Sequence, residues 1–337
     1  MSNIYDTLRF FMRIKSRRLK LLGLWVLHCF GRRYIGVFLD PVLACNLRCQ
    51  MCYFSDDEKR KAYHGSLTYE AMELIASRLF HRALKLQIGC GAEPTLHKDL
   101  VRIVALGKQH QVPYISLTTN GQLVSQELLF DLVANGLNEL TLSTHGLTRP
   151  TYESFMTNAS FDRFRSLLAD VAAVKKRYPA FRLRINYTMN ADNFRELSHL
   201  WDILGDTVDI LQIRPIQQIG DSAYRNFDLS PIYEAYDEVI APLIDACKQK
   251  GITCLAPEKE NLQVLETTEE NDNSIEQFTY CYVSAKSCWQ EDFDYRSDTF
   301  ESYASSHHWG RRILEKVIRK PRQTHISTTR KMNYSIK

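Results

Sequence analysis

The sequence of 337 residues lacks any apolar run long enough to cross a membrane. Its best candidate, Leu21–Phe30 (LLGLWVLHCF), has about half of the roughly 20 residues that a spanning helix needs. The letters that follow it, GRRYIG, contain no small-residue cleavage site of the kind that ends a signal peptide. We therefore expect a cytoplasmic protein whose contact with a membrane, if any, is confined to its surface.

Acidic side chains are scarce at both ends of the chain. Residues 1–33 carry eight Lys and Arg and one acid, and residues 311–337 carry nine and one, so that an acidic middle part offsets them to a net charge of +4. Solvated termini would explain this pattern as well as a binding partner would. No basic surface with interleaved aromatic residues and no zinc module accompanies it, so we expect no nucleic acid as partner.

The first 33 residues form the first predicted segment, a basic amphipathic helix. Two sets of side chains fall largely on opposite helical faces: the basic Arg9, Arg13, Arg17 and Lys20, and the apolar Leu8, Phe11, Met12, Leu19 and Leu22. Such a helix either lies on an anionic membrane surface or packs on the body of its own protein. A peripheral membrane contact through residues 8–30 is one of these two expectations.

Cysteines are few outside one cluster. Nine is an odd number that does not suit the paired framework of a secreted protein, and three of the nine stand in CNLRCQMC, Cys45–Cys52. The loop between them is polar, which argues against three incidental buried thiols. A zinc site would need a fourth ligand, with His64 as the nearest candidate. An iron–sulfur cluster held by three thiolates leaves one iron open to a small molecule.

Predicted strands and helices alternate between residues 34 and 250. Six strands are each followed by a helical pattern, which predicts a parallel sheet with right-handed crossovers. Six units are too few for a complete eight-unit barrel, so we predict an α/β fold, a partial (β/α)6 TIM-like barrel, over residues 34–255. Polar residues follow the predicted strands, and these are Cys45, GAEP (91–94), TTNG (118–121), STHG (143–146), Asn190, and Gln212 with Arg214. In such folds the strand ends form the site.

CNLRCQMC resembles the C-x3-C-x2-C signature of the radical S-adenosylmethionine (radical SAM) superfamily, and GCGAEP stands where that family carries Gly-Gly-Glu-Pro. The similarity spans about residues 34–250. It implies that Cys45, Cys49 and Cys52 hold a [4Fe–4S] cluster whose fourth iron binds S-adenosyl-L-methionine (SAM). Reductive cleavage of SAM would give a 5′-deoxyadenosyl radical that abstracts hydrogen from a substrate. An electron donor such as flavodoxin or ferredoxin is implied as partner.

The same resemblance assigns the remaining strand ends to SAM. Gly91, Ala92 and Glu93 would run along the methionyl amino group, and Ser143 would approach the ribose or the carboxylate. Thr118, Thr119 and Asn120 would contact methionine or substrate. The adenine would lie against Ile213 and Arg214, with Met51 and Tyr53 near it. His145 stands where many relatives have Asp and is the single candidate for a catalytic proton donor or acceptor.

Residues 256–337 form the third predicted segment, an irregular extension with a basic tail. Cys281 and Cys288 resemble the opening of a SPASM or twitch extension, in which further cysteines bind a second [4Fe–4S] cluster, yet no cysteine follows them. They are candidate ligands of such a cluster, with Cys247 and Cys254 as more distant contributors. For the substrate we expect a peptide or a carbohydrate/lipid-linked molecule. The alternatives are a cofactor-biosynthesis enzyme acting on a nucleotide and a non-catalytic Fe–S binding protein of the same fold.

Overall fold

The computed structural model describes Tyr5, Phe11, residues 13–217, 222–262 and 275–319, and the backbone of residues 334–336. One sheet organises these residues. Its strands are β1 (Ile35–Asp40), β2 (Ala83–Ile88), β3 (Tyr114–Thr119), β4 (Glu139–Thr144), β5 (Arg182–Met189), β6 (Ile210–Pro215), β7 (Thr253–Pro257), β8 (Tyr280–Ser284) and β9 (Tyr334–Ile336). They lie in the order β8-β1-β2-β3-β4-β5-β6-β7-β9. Eight are parallel, and β9 alone runs antiparallel, against β7.

Helices cross between consecutive strands, as the alternating pattern predicts, and further helices precede β1 and follow β8. In chain order, the helices of the described residues are α1 (Arg17–Cys29), α2 (Asp57–Ala62), α3 (Tyr69–Leu79), α4 (Leu100–Gln109), α5 (Gln126–Ala134), α6 (Arg149–Phe155), α7 (Phe161–Arg177), α8 (Leu200–Leu204), α9 (Ser230–Glu234), α10 (Tyr236–Gln249), α11 (Glu276–Thr279), α12 (Phe300–Ser306) and α13 (Trp309–Ile318). Local chemistry starts several of them. Thr68 caps α3 by accepting a hydrogen bond from the N–H of Ala71 at 3.2 Å, and Ser125 does the same for α5.

The six predicted β/α units are confirmed, and the sheet is an open, partial barrel. Two parallel strands extend it beyond the prediction. β7 continues past β6, so that the predicted boundary at residue 255 falls inside a strand. β8 comes from the extension and pairs with β1, 240 residues earlier in the chain, so this part of the extension is more regular than its sequence suggests.

Successive side chains of each strand point to opposite faces of the sheet. One face packs against the helices and is apolar, with residues such as Leu117, Leu142 and Ile185 fully or almost fully buried. The other face, here called the inner face, carries polar side chains at alternate positions, including Thr118, Ser143 and Asn186. The loops at the carboxyl ends of the strands lie above the inner face and complete the cavity described below.

The extension and the N-terminal helix pack together outside β1. Residues on both sides of β8 form a cluster of aromatic rings, here called the aromatic cluster: Phe278, Trp289, Phe293, Phe300, Tyr303 and Trp309. Trp289 is central, with ring centroids 4.9 Å from Phe300 and 5.0 Å from Trp309. Helix α13 then packs along α1. No helix in the described parts of the chain is both long and apolar enough to cross a bilayer.

Candidate active site

The cysteine loop leaves the end of β1 and is held by backbone hydrogen bonds on two sides. The N–H groups of Arg48 and Gln50 donate to the carbonyls of Thr157 and Phe155, at 3.0 and 2.9 Å. On the other side the N–H of Glu93 donates to Ala44 at 2.9 Å. The loop is therefore fixed by its neighbours before any metal binds.

The three thiols of this loop open into one cavity of about 250 Å³. They are unlinked by disulfides. Burial raises the pKa of Cys45 to about 11, and burial together with the other two thiols raises the pKa of Cys49 well above its ordinary value. A metal must displace these protons, because the thiolate is the ligand.

Within the described residues, no three His, Cys, Asp or Glu side chains converge on the point that a single ion would occupy. This disfavours the zinc alternative, as does His64, which is exposed and does not line the cavity. A cubane cluster does not have this requirement, since each of its thiolate ligands binds a different iron. The donor set of three thiols around one cavity therefore fits a [4Fe–4S] cluster better than it fits zinc.

Glu93 is a buried carboxylate that ties the second strand end to the third. It accepts hydrogen bonds from the hydroxyls of Thr95 and Thr119, each at 2.6 Å, and from the N–H of Asn120 at 2.8 Å. Burial raises its pKa, and these donors oppose the rise. Asn120 in turn donates to Asn46 of the cysteine loop at 2.9 Å. The Glu93 carboxylate thus positions two loops, with its acceptor sites already used.

Asp40, the last residue of β1, fixes the glycine-containing loop after β2. Its carboxylate accepts the N–H of Cys90 at 2.7 Å and of Gly91 at 3.0 Å, and the hydroxyl of Tyr282 at 2.8 Å. From the other side Tyr53 donates to the carbonyl of Gly91. A Cβ on Gly91 would lie 2.7 Å from the Tyr53 hydroxyl, so only glycine fits. The loop that the resemblance assigns to the methionyl group is thereby held in one conformation.

His145 and Arg214 face the cavity from the ends of β4 and β6. Burial, and secondarily the charge of Arg214, lower the pKa of His145 to about 4, so the imidazole is neutral at neutral pH. Its Nδ1 atom is buried and has no hydrogen-bond partner among the residues that the structure describes. No side-chain hydrogen bond or ion pair joins the Arg214 guanidinium to another residue that the structure describes. Both groups are free to contact a bound molecule.

Polar side chains continue down the inner face below the cavity. Glu139 is fully buried there and accepts hydrogen bonds from Tyr5 and Tyr114 at 2.5 and 2.6 Å. Burial alone would raise its pKa, but the charges of Arg184 and Lys85 hold it below its ordinary value. Burial lowers the pKa of Lys85 itself to about 8. The interior of the open barrel is thus a charged and hydrogen-bonding environment rather than an apolar core.

Most of the predicted site residues line the cavity. They are Cys45, Cys49, Met51, Cys52, Tyr53, Gly91, Ala92, Glu93, Thr118, Thr119, Asn120, Ser143, His145 and Arg214. Ile213 does not. It is fully buried, and it points to the helix-facing side of β6 because its neighbours Gln212 and Arg214 occupy the inner face. Its side chain therefore lies outside the cavity, and its contact with the adenine stays a prediction. Asn190 lies behind the cavity wall and donates to the sulfur of Met51 at 3.1 Å.

Cys281 and Cys288 lie away from the cavity. Cys281 is fully buried on the helix-facing side of β8, and Cys288 borders the same apolar core. Cys254 is on β7, and Cys247 is on α10, which packs against β7. Strand β7 lies at the opposite edge of the parallel part of the sheet from β8. The described residues therefore place no third cysteine beside Cys281 and Cys288. A second cluster on this pair gains no support from its surroundings.

Several cavity residues were not anticipated from the sequence. Asn186 and Thr188 line the cavity, and the alternation of polar residues in β5 (RLRINYTM) is a signal that would have found them. Cys90 also lines it, from the loop that Asp40 holds. Tyr282 had no local signal, because its role depends on β8 pairing with β1.

The fold and the cavity define a class of protein. The three free thiols of the cysteine loop, with Cys90 beside them, share a cavity at the carboxyl ends of parallel strands, next to the glycine-containing loop that Asp40 holds. His145 and Asn186 line the same cavity, and their Nδ1 and Oδ1 atoms are buried without a hydrogen-bond partner among the described residues. This arrangement fits an enzyme that binds a [4Fe–4S] cluster together with a polar cofactor.

Comparison with known proteins gives the family. Residues 40–189 match the Radical SAM superfamily, so this part of the chain is a radical SAM domain, and the cofactors of that family are a [4Fe–4S] cluster and SAM. Proteins named probable GTP 3′,8-cyclase are similar to it. The one from Saccharolobus islandicus is 26% identical over 220 residues, 63% of this chain and 67% of that protein. The one from Thermococcus kodakarensis is 24% identical over 222 residues, 62% and 68% of the two chains.

Solved structures of Streptococcus suis SuiB share the fold. SuiB bound to S-adenosylmethionine superimposes with a TM-score of 0.59 and 14% identity, covering 77% of this chain and 60% of SuiB. SuiB bound to the precursor peptide SuiA gives a TM-score of 0.58 and 15% identity, covering 85% and 64%. This chain therefore spans about 60% of the length of SuiB. At this identity the likeness concerns the fold alone.

Proposed function

We propose that this enzyme acts on a polar substrate of the carbohydrate class, free or linked to a lipid, bound on the inner face of the open barrel. The cluster and SAM supply, when bound, the 5′-deoxyadenosyl radical that takes a hydrogen atom from the substrate. The chain's own residues bind that substrate, orient it and keep water away from it. We also propose that the cavity residues assigned above to SAM, from Met51 to Arg214, contact that cofactor.

The observation that carries the substrate class is the polarity of the inner face. Ser116 Oγ, Asn186 Oδ1 and His145 Nδ1 are buried without partners among the described residues. A buried polar atom without a partner costs about 1–3 kcal/mol, so a hydroxyl-rich molecule that satisfies such atoms would bind there with a gain. Arg214 adds a cation suited to a phosphate or carboxylate. A peptide, the other expected substrate, would gain less from this surface.

A nucleotide is the second candidate substrate, and a different observation supports it. The relatives named probable GTP 3′,8-cyclase match about 63% of this chain. A nucleotide also presents a sugar and phosphates to the same side chains. A nucleotide would therefore occupy the same cavity as the proposed carbohydrate, and the two proposals differ only in the substrate bound there.

The test is substrate-dependent cleavage of SAM by anaerobically reconstituted protein with dithionite. Four probes are compared: a sugar nucleotide, a polyprenyl-linked sugar, GTP and a peptide, each deuterated at carbon. We expect the sugar-bearing probes to stimulate 5′-deoxyadenosine formation and to transfer deuterium into it. Transfer from GTP alone would establish the nucleotide candidate, and transfer from the peptide alone would overturn the carbohydrate proposal.

A matched pair of variants separates cofactor from substrate. Cys49→Ala should abolish 5′-deoxyadenosine formation with every probe. Arg214→Gln should keep the iron content and weaken the response to anionic probes more than to a neutral sugar. Complete absence of SAM cleavage in the iron-loaded wild type would instead favour the non-catalytic Fe–S protein.

We also propose two partners. A one-electron donor such as flavodoxin or ferredoxin would reduce the cluster, because no other redox group is implied by the family. A membrane surface would contact residues 8–30, as the amphipathic pattern predicts. Of the residues in that pattern, Leu8, Arg9 and Met12 lie outside the described residues, and the remainder are on or near α1.

A further inference from the structure

Helix α1 is apolar on two sides. Its inner side buries Leu21 and Leu24 against the protein. On its outer side Leu19, Leu22, Val26 and Phe30 follow one another at helical spacing and form a continuous stripe. Leu19 is 60% exposed and Phe30 is 74% exposed. Packing on the body of the protein therefore accounts for only one of the two apolar sides.

Helix α13 runs antiparallel beside α1. Arg17, at the start of α1, donates to the carbonyl of Lys316 near the end of α13 at 2.9 Å. His28, near the end of α1, lies beside Gly310 at the start of α13. Two apolar residues of α13, Leu314 and Ile318, are one helical turn apart and exposed, Ile318 to 71%. They lie at the end of the pair where Leu19 and Leu22 also lie.

Exposed apolar side chains are concentrated on this helix pair. Ten large hydrophobic residues are exposed in the described parts of the chain, and seven of them belong to the pair and the residues just before it. These seven are Phe11, Leu19, Leu22, Val26, Phe30, Leu314 and Ile318. Contiguous exposed apolar surface of this kind marks an interaction site.

The charge around the stripe is mostly positive, and the one acid within α13, Glu315, pairs with Arg311 at 3.0 Å. Residues 13–33 contain seven Lys and Arg and no acid. The exposed basic side chains of the pair and its flanks are Arg13, Lys15, Arg18, Arg32, Arg311, Arg312 and Arg319. An apolar helical stripe bordered by Lys and Arg is the pattern by which a helix lies in the interface of an anionic bilayer. Long basic side chains there reach the headgroups while the apolar ones enter the acyl boundary.

We propose that α1 and α13 together form a docking surface for an anionic membrane. This inference rests on the membrane contact proposed above for residues 8–30 and adds two points to it. The docking unit is a pair of helices rather than one, and the lipid must be anionic. A lipid-linked substrate would then bind to the enzyme at the membrane surface on which the enzyme is docked.

The test is flotation of the full-length protein with extruded vesicles of phosphatidylcholine, with or without about 30% phosphatidylglycerol. We expect binding only to the anionic vesicles, and weaker binding at high salt. Leu22→Glu/Val26→Glu and Leu314→Glu/Ile318→Glu should each weaken binding by about tenfold or more. Leu123→Glu, at a comparably exposed leucine away from the pair, is the matched control and should bind as the wild type does.

The outcomes distinguish the paired docking surface of α1 and α13 from the simpler membrane contact proposed for residues 8–30. If the α1 variant loses binding and the α13 variant does not, membrane contact stands and the paired surface is wrong. If the wild type binds neither kind of vesicle, both are wrong. A wild-type dimer that the same substitutions convert to a monomer, with no vesicle binding, would make this face a contact between copies of the chain. Because all four side chains are already exposed, thermal melting should be unchanged in every variant.

Discussion

The two sets of cysteines in this chain lie near the same edge of the sheet and differ in every property that matters for a metal. Cys45, Cys49 and Cys52 follow β1 into a polar loop and open into the cavity. Cys281 lies on the adjacent strand β8, yet it faces the helices and is fully buried in the apolar core. Spacing brings the first three together, whereas strand alternation directs Cys281 away from the cavity. The comparison shows that a cysteine's surroundings, more than its proximity to a metal site, decide what it can bind.

The largest effect should come from removing a thiol of the cavity. Cys49→Ala should lose the cluster and reduce 5′-deoxyadenosine formation to background, because three thiolates are the full protein ligand set of the cluster. Iron analysis and product quantification on anaerobically purified protein measure this. Cys281→Ala is the matched control and should retain both iron and SAM cleavage. Equal loss of iron in the two variants would contradict the claim that Cys49 binds the cluster and Cys281 does not.

The next effect concerns the contact that joins the two regions. Asp40→Ala would leave the N–H groups of Cys90 and Gly91 and the Tyr282 hydroxyl without their acceptor. We expect about tenfold weaker SAM binding with the iron content retained, since each lost hydrogen bond to a charged group is worth about 1.5–3 kcal/mol and part of this affects folding instead. Equilibrium binding of SAM to the reconstituted protein measures it.

Tyr282→Phe should show a smaller loss of SAM affinity in the same direction. Its control is Tyr280→Phe, two residues earlier on the same face of β8, where the hydroxyl makes no hydrogen bond to Asp40. If the two variants bind SAM equally, the extension does not support the cofactor loop through Tyr282.

Replacing Cys281 should affect stability without affecting chemistry. Cys281→Ser places a hydroxyl among apolar neighbours, which costs about 1–3 kcal/mol when no partner is available. Cys29→Ser, at an exposed cysteine, should change the unfolding free energy by less than about 0.5 kcal/mol. Urea unfolding compares the two. A Cys281→Ser protein as stable as the wild type would show that this thiol is not packed as described.

The last effect is a pH dependence of stability that comes from His145 and appears only in acid. Its pKa is lowered to about 4 in the folded protein, whereas an unfolded histidine titrates near about 6.5. The unfolded state binds more protons between these values, so stability is complete above about pH 6.5 and declines toward pH 4. His145→Gln should flatten this decline by up to about 3 kcal/mol. Urea midpoints at several pH values measure it, and identical slopes in both proteins would contradict it.

The sequence was sufficient for the parts of the fold that are local. Each of the first six strands is an apolar segment beside a helix with its own start signal, such as Thr68 or Ser125, and each was predicted. The cysteine loop and the polar strand ends were predicted for the same reason. Parallel strands bring their carboxyl ends to one edge, so residues distant in sequence, such as Asn120 and Asn46, meet there.

The parts that escaped prediction depend on distant contacts or on the face of a strand. β8 has the alternating pattern YCYVS, but its partner β1 is about 240 residues away and nothing local indicates the pairing. Ile213 shows the second problem, because its side chain lies outside the cavity although the sequence pattern puts it among the site residues. A shift of one residue along a strand moves a side chain from the cavity to the core, and Gln212 and Arg214 already occupied the inner face. The outer apolar side of α1 could not be separated from its inner side until the packing was known.

The most direct test of the account is an iron and sulfide count on three proteins. These are the wild type, a variant with Cys45, Cys49 and Cys52 all replaced by Ala, and Cys281→Ser/Cys288→Ser. The account predicts about four iron and four sulfide per chain in the wild type and in the Cys281/Cys288 variant, and none in the triple variant. About eight iron in the wild type, falling to about four when Cys281 and Cys288 are replaced, would contradict it and establish a second cluster.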